Sequence, residues 1–306
     1  DFGLPVTKLP IAQKRIEILR ALEENRIVII RAATGSGKSS QVPQYILEEA
    51  YRLKRNVNIV ITQPRRISAQ TLADRVSNER RCEVGSLVGY QIGQDKKLEN
   101  NHTRILFCTT GVFLQKLVNE RSLKKWTHVI IDEIHERDLD LDFLLLVLRR
   151  IHNAHNSSTK IILMSATMET EHIADYFNTI QPPRVLDLDV KRPFDTKVSY
   201  LDEFNKHDFF ISITDAIDLE NPGIDFRLYT AGIDILTMLI MKEVKAFLVF
   251  LPGWHEIETF RMALLRNPDI VSNNFNIILL HSTMGTDNLK ELYDKTNEKK
   301  IVLATN

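Results

Sequence analysis

Five short apolar runs, each followed by a helix-period stretch, limit this chain's fold more than any other feature. They are IVII (27–30), NIVIT (58–62), RILFC (104–108), THVIID (127–132) and KIILMS (160–165). Consecutive apolar, largely β-branched residues imply strands covered on both faces. Such strands alternating with amphipathic segments, LDFLLLVLRRIHN after the fourth for example, predict a parallel sheet with helices on both sides. Around KRPFDTKVSY (191–200) the periodicity lapses. A second alternating set follows a helix expected over about 228–243: AFLVFLP (246–252), NIILLHS (276–282) and KIVLATN (300–306). The expected fold is therefore α/β, with parallel-sheet domains over 1–190 and 191–306. Three strands make a thin second sheet, so the chain reads as a piece of a larger protein cut inside its second domain.

Composition narrows the class without choosing a ligand. The 306 residues are 43% hydrophobic and 26% charged, as in ordinary globular proteins. Lys plus Arg and Asp plus Glu both number 40, so any nucleic-acid partner must be met by a local basic surface. Cys82 and Cys108 have no metal-ligand spacing, which suggests a reducing compartment. No window approaches the roughly 18 unbroken apolar residues of a membrane span, and DFGLPVTKLP lacks a signal-peptide layout. A cytoplasmic protein with no membrane partner is expected.

The first run leads into Thr34-Gly35-Ser36-Gly37-Lys38-Ser39 and then a helical pattern. Glycines let backbone N–H groups approach phosphate oxygens, and a helix N-terminus adds a positive field. Lys38 would meet the β- and γ-phosphates, and Ser39 would offer a hydroxyl to Mg²⁺. The pattern G-x-x-x-x-G-K-[ST] is imperfect, because Ala32 stands where its first glycine belongs. The methyl costs nothing at negative φ, but on the order of 1 kcal/mol at positive φ.

The fourth run ends in Asp132-Glu133-Ile134-His135. Acids closing a strand of a parallel sheet lie at its carboxyl edge, where ligands bind in such folds. Asp132 would hold Mg²⁺ through water, and Glu133 would orient and deprotonate an attacking water. Alternatively, DEIHERD is an acidic start to the next helix. His135 gains interest only from its neighbours.

The ordered set TGSGKS (34–39), TQPRRISA (62–69), TTG (109–111), DEIH (132–135), SAT (165–167), FLPG (250–253) and ATN (304–306) resembles the DEAH/DExH-box helicases of superfamily 2. The resemblance spans nearly the whole chain. It implies two RecA-like domains of the P-loop NTPase fold, the second incomplete, with ATP, Mg²⁺ and single-stranded RNA as ligands. It implies catalytic roles for Lys38, Asp132, Glu133 and His135. Ser165 and Thr167 would couple nucleotide state to domain movement, although S-A-T also suits a helix cap. Pro64, Arg65, Arg66 and the Thr109-Thr110-Gly111 turn would contact RNA phosphates, although Arg65-Arg66 also suits a solvated helix start. Arg75 and Tyr293 match positions that stack on either side of a base; otherwise they are an exposed Arg and a half-buried Tyr. Gly253, His281, Ser282, Thr305 and Asn306 match positions at the RNA face or interdomain cleft.

The family's glutamine- and arginine-rich stretch, whose arginines reach the γ-phosphate, would lie beyond residue 306. These residues alone are therefore expected to bind nucleotide but hydrolyse it weakly. DEIHERD followed by DFLLLVLRR resembles one branch of the family, and the long segment before FLVFLPG, with PGIDFRLYTAGIDIL, is more similar to a germline member of that branch carrying a Tudor domain. That likeness implies small-RNA (piRNA) silencing, Tudor-domain and small-RNA pathway partners, and perinuclear germ granules. A non-catalytic, nucleotide-gated RNA clamp or assembly platform is the competing function.

Overall fold

The computed structural model describes residues 9–99, 101–154, 158–166, 171–178, 182–189, 195–200, 224, 226–281 and 299–305. The chain divides into two compact units, Asp1–Thr196 and Lys197–Asn306. Both are α/β, as the sequence predicts.

In the first unit, β1 (Ile27–Arg31), β2 (Ile59–Gln63), β5 (Ile105–Thr109), β6 (His128–Ile131) and β7 (Lys160–Ser165) are the five predicted runs. They join β3 (Val88–Ile92), β4 (Asp95–Lys97) and β8 (Arg184–Asp187) in one sheet, ordered β4-β3-β5-β2-β6-β7-β1-β8. All pairings are parallel except β3 with β4. The three strands absent from the expectation lie on the sheet's flanks: β4 and β8 are its edges, while β3, paired on both sides, has its apolar run interrupted by Gly89 and Gln91. Their sequences are VGYQI, DKK and RVLD. Gly89 in β3 is required by a close approach: a Cβ there would lie 2.4 Å from the Lys97 carbonyl.

Helices cover both faces because successive strand residues point to opposite sides. Val28, Ile30, Ile59 and Ile61 pack into one core with residues of α1 (Arg15–Glu24), α2 (Lys38–Arg52) and α3 (Arg66–Arg80). Ile27, Ile29 and Val60 pack into the other with α4 (Thr110–Glu120), α5 (Leu139–Ala154) and α6 (Glu171–Phe177). Since the strands run parallel, the loops after β1, β2, β5, β6 and β7 all leave from one edge.

The second unit holds β9 (Ala246–Phe250), β10 (Asn276–Leu280) and β11 (Lys300–Ala304), parallel in the order β10-β11-β9. Helices α7 (Phe226–Met241) and α8 (Trp254–Arg266) share its apolar cluster, which centres on Phe260, Ile257 and Leu303. The short α9 (Pro268–Ser272) starts at Asn267, whose side chain accepts from the Asp269 and Ile270 N–H groups. Among the described residues, no helix is long and apolar enough to cross a membrane.

Ile61 is fully buried in the central strand β2. Ile61→Ala is expected to lower stability by about 2–5 kcal/mol, read as a lower midpoint in urea unfolding.

Candidate active site

The loop after β1 wraps into a cradle because two of its residues take backbone shapes that glycine tolerates. Gly35 has φ 78° and Gly37 φ 99°. Gly37 is doubly constrained, since a Cβ there would also lie 2.9 Å from Leu9 Cδ1. The floor beneath it comes from the N-terminal segment, where the Ile11 N–H donates to the Ser36 carbonyl at 3.2 Å. Ala32 is not among the positive-φ residues, so its methyl is accommodated without backbone strain. Its N–H donates to the Ser165 carbonyl at 3.2 Å, tying the loop to the end of β7.

Lys38, the first residue of α2, turns back into this loop. Its Nζ donates to the Ala32 carbonyl at 2.6 Å and the Ala33 carbonyl at 3.3 Å. Burial pulls the ammonium's pKa down, while the charges of Glu133 and Asp132 pull it back up. Those opposing influences place the acids from the end of β6 within electrostatic reach of the loop.

Asp132 is the most enclosed member of the group, 2% exposed. Gln63, closing the neighbouring strand β2, donates Nε2–H to Asp132 Oδ2 at 2.6 Å. The Glu133 N–H donates to Asp132 Oδ1 at 2.9 Å. Ser39, the second residue of α2, lies near enough for its hydroxyl to favour the ionised form of the same carboxyl. Burial raises the Asp132 pKa, and these hydrogen bonds together with Lys38 oppose it. Ser39 and Asp132 thus bring hard oxygens to one point. Magnesium takes one or two protein oxygens and completes its octahedron with phosphate and water, so this pair fits that ion.

Glu133 adopts the left-handed backbone region at φ 52°, which costs a non-glycine residue about 1–2 kcal/mol. The hydrogen bond from its N–H to Asp132 helps hold that shape, and strain of this kind gathers at functional sites. Its Oε2 is buried and accepts no hydrogen bond among the described residues. His135 Nδ1 lies 3.4 Å away, close enough for attraction when protonated. Burial, then the charge of Asp132, raises the Glu133 pKa; Lys38 and His135 oppose the rise. A buried carboxylate with an unused oxygen is suited to accept a proton from water. DEIH does not start the next helix. Ile134–Glu136 forms a 3-10 turn, and Asp138 caps α5 by accepting from the Leu141 N–H at 2.7 Å. The alternative reading of the acid pair as a helix start therefore falls away.

The other candidates divide between the two units. Thr34, Gly35 and Ser36 line the loop. Ser165 is buried at the end of β7. Arg65 and Arg66 are exposed where α3 begins, and an Arg65 Nη lies 3.7 Å from Glu136 Oε1. Arg75 sits farther along α3 with its side chain 50% exposed. Thr110 is buried, and its hydroxyl donates to the Gln63 carbonyl at 3.4 Å. Its main-chain N–H, in the first turn of α4, is therefore the group suited to an outside ligand. In the second unit, Gly253, His281 and Thr305 follow the carboxyl ends of β9, β10 and β11. The His281 ring packs against Trp254 at 5.7 Å between centroids. Thr167, Ser282, Tyr293 and Asn306 lie outside the described residues. Gln63, bonded to Asp132, is a further residue of the first unit's site. The only sequence signal for Gln63 is a polar residue ending a β-branched strand before proline.

Comparison with known sequences accords with this geometry. The sequence model of the DEAD/DEAH box helicase family matches residues 10–176. The chain belongs to that family. Within it, the chain is similar to "Probable ATP-dependent RNA helicase spindle-E" from Aedes aegypti, at 40% identity over 100% of this chain and 24% of the relative. Proteins of the same name from Culex quinquefasciatus and Drosophila pseudoobscura pseudoobscura are each 38% identical. They cover 100% and 97% of this chain, and 23% and 22% of their own lengths. The likeness read from the segment before FLVFLPG is thus borne out as a likeness to spindle-E. The chain spans about a quarter of the length of these relatives.

Two outcomes follow for this helicase-family site. Gly37→Ala must strain the backbone and displace Leu9, so it should lower both the melting temperature and nucleotide affinity, read by thermal shift and fluorescent-nucleotide titration. Glu133, whose folded pKa lies above its unfolded value, holds its proton more tightly when folded. Its contribution therefore falls as pH rises between those two values. Glu133→Gln removes the buried charge, so without nucleotide it should melt above the parent at neutral pH. That advantage should shrink as pH falls.

Proposed function

We propose that this chain is the core of an ATP-dependent RNA helicase: it binds ATP with Mg²⁺ and single-stranded RNA, and couples hydrolysis to RNA remodelling. The supporting observation is the meeting of Lys38 and Ser39 from the glycine loop with Asp132 and Glu133 from β6 at one sheet edge. On this reading the loop N–H groups and Lys38 Nζ receive the phosphates, and Lys38 exchanges its carbonyl partners for phosphate oxygens. Ser39 and Asp132 hold the metal, which supplies positive charge beside the transferring phosphoryl group. Glu133 accepts the proton of the attacking water through its unused oxygen, and His135 steadies it. Arg65, Arg66, the Thr110 N–H and Arg75 grip the RNA backbone and one base, a mode of binding that tolerates any sequence. Gly253, His281, Thr305, Ser282 and Tyr293 would complete that grip from the second domain, and Ser165 with Thr167 would couple nucleotide state to domain movement.

The proposed domains are residues 1–190 and 191–306. The likeness to spindle-E extends the proposal to germline small-RNA (piRNA) silencing in cytoplasmic, perinuclear granules. Tudor-domain and small-RNA pathway partners would engage regions outside this chain.

The deciding experiment is RNA-stimulated ATP hydrolysis by the full-length protein. Lys38→Ala should lose nucleotide binding. Glu133→Gln should keep it while kcat falls by about 10²–10⁴, the usual share of a general base. Arg65→Ala with Arg66→Ala should weaken RNA binding and flatten its salt dependence. Unchanged hydrolysis in Glu133→Gln would remove its assigned role, and cellular function surviving a hydrolysis-dead Glu133→Gln would favour the nucleotide-gated clamp.

A further inference from the structure

Helix α2 buries two glutamines where packing alone would call for apolar side chains. Gln41 and Gln44 are 1% and 2% exposed. A carboxamide removed from water needs partners, and both find the same atom. Glu79 Oε2, from α3, accepts from Gln41 Nε2 at 2.9 Å and Gln44 Nε2 at 2.7 Å. The other oxygen, Glu79 Oε1, accepts from Arg75 Nε at 3.0 Å. Toward the phosphate loop, Gln41 Nε2 also donates to Ser40 Oγ at 3.2 Å. The Ser40 hydroxyl in turn donates to the Gly37 carbonyl at 3.3 Å. An unbroken hydrogen-bonded path thus runs from the last glycine of the loop to the guanidinium of Arg75.

The chemistry of position 79 is demanding. Only an ionised carboxylate accepts at both oxygens with no donor of its own, so one oxygen can serve α2 while the other serves Arg75. Apolar residues at 41, 44 and 79 would join the helices without the desolvation cost of a buried polar network. The neighbouring Arg80 strengthens the join by pairing with Gln44 and Glu48. The start of α2 carries Lys38 and Ser39, so an adjustment of the loop around a bound phosphate would reach the carboxylate that holds Arg75 through Gly37, Ser40 and the two glutamines.

We propose that Glu79 is a positioning residue that links occupancy of the phosphate loop to the hold of Arg75 on single-stranded RNA. The inference rests on the RNA reading of Arg75 given above. Binding at the two places should then be reciprocal, each ligand tightening the other by one common factor.

The test uses the full-length protein, a fluorescent single-stranded oligoribonucleotide and a non-hydrolysable ATP analogue. RNA affinity is measured with and without the analogue, and analogue affinity with and without RNA. The parent protein is expected to show about tenfold coupling, equal in both directions, within the usual range for linked sites. Glu79→Gln retains the shape but has one acceptor oxygen, so its coupling factor should fall to about one while each ligand alone binds within about twofold of the parent. Because Gln44 Nε2 also donates to the Ser40 carbonyl at 2.8 Å, the second variant combines Gln41→Met with Gln44→Met, which removes both α2 donors to Glu79 and should act likewise, keeping the test open if Glu79→Gln does not fold. Full coupling in either folded variant, or none in the parent, overturns the proposal. Unchanged RNA affinity in Arg75→Ala overturns instead the RNA reading beneath it.

Discussion

A single enclosed carboxylate organises the first unit. Asp132 has almost no access to water, and its charge is tolerable only because neighbours on three strands and helices answer it. Gln63 reaches it from β2, Ser39 from α2 and the Glu133 N–H from its own turn. Losing one partner of a buried charge costs far more than a surface contact, so the ends of β1, β2 and β6 are held in register by electrostatics as well as packing. The left-handed backbone at Glu133 follows from the same bond, and it aims the next acid beside the glycine loop.

The site is organised around opposing charges. Lys38 is itself buried and satisfied by the carbonyls of Ala32 and Ala33. Two acids nearby pull its pKa up while burial pulls it down, and the acids feel the reverse. On the proposed reading, a polyanion and a cation entering together would draw Lys38 from its carbonyls to phosphate oxygens, with the charges that receive them already in place. Fixed groups facing the place where charge will develop are what make enzyme sites effective.

Much of this was legible in residues alone. The five apolar runs became five parallel strands, since covering both faces of a strand leaves an unmistakable composition. Thr34–Ser39 and Asp132–Glu133 were readable as a pair because strand direction alone sends both to the same edge. The flanking strands β3, β4 and β8 were not legible: VGYQI, DKK and RVLD carry too few apolar residues to announce pairing. The Glu79 network was also hidden, because glutamines at 41 and 44 look like solvent-facing helix residues until α3 is packed against them.

The sequence by itself therefore determined the architecture and the sites' chemical parts, because periodicity and short motifs are local properties of a chain. Only the tertiary structure decided how those parts are answered. It left Glu133 with a free oxygen, gave the α5 cap to Asp138 instead of DEIH, turned the Thr110 hydroxyl inward and set Glu79 between α2 and Arg75. Apart from the local Asp138 cap, each of these depends on which residues distant in the chain share a desolvated space, and hydrogen bonding there is governed by proximity in the fold.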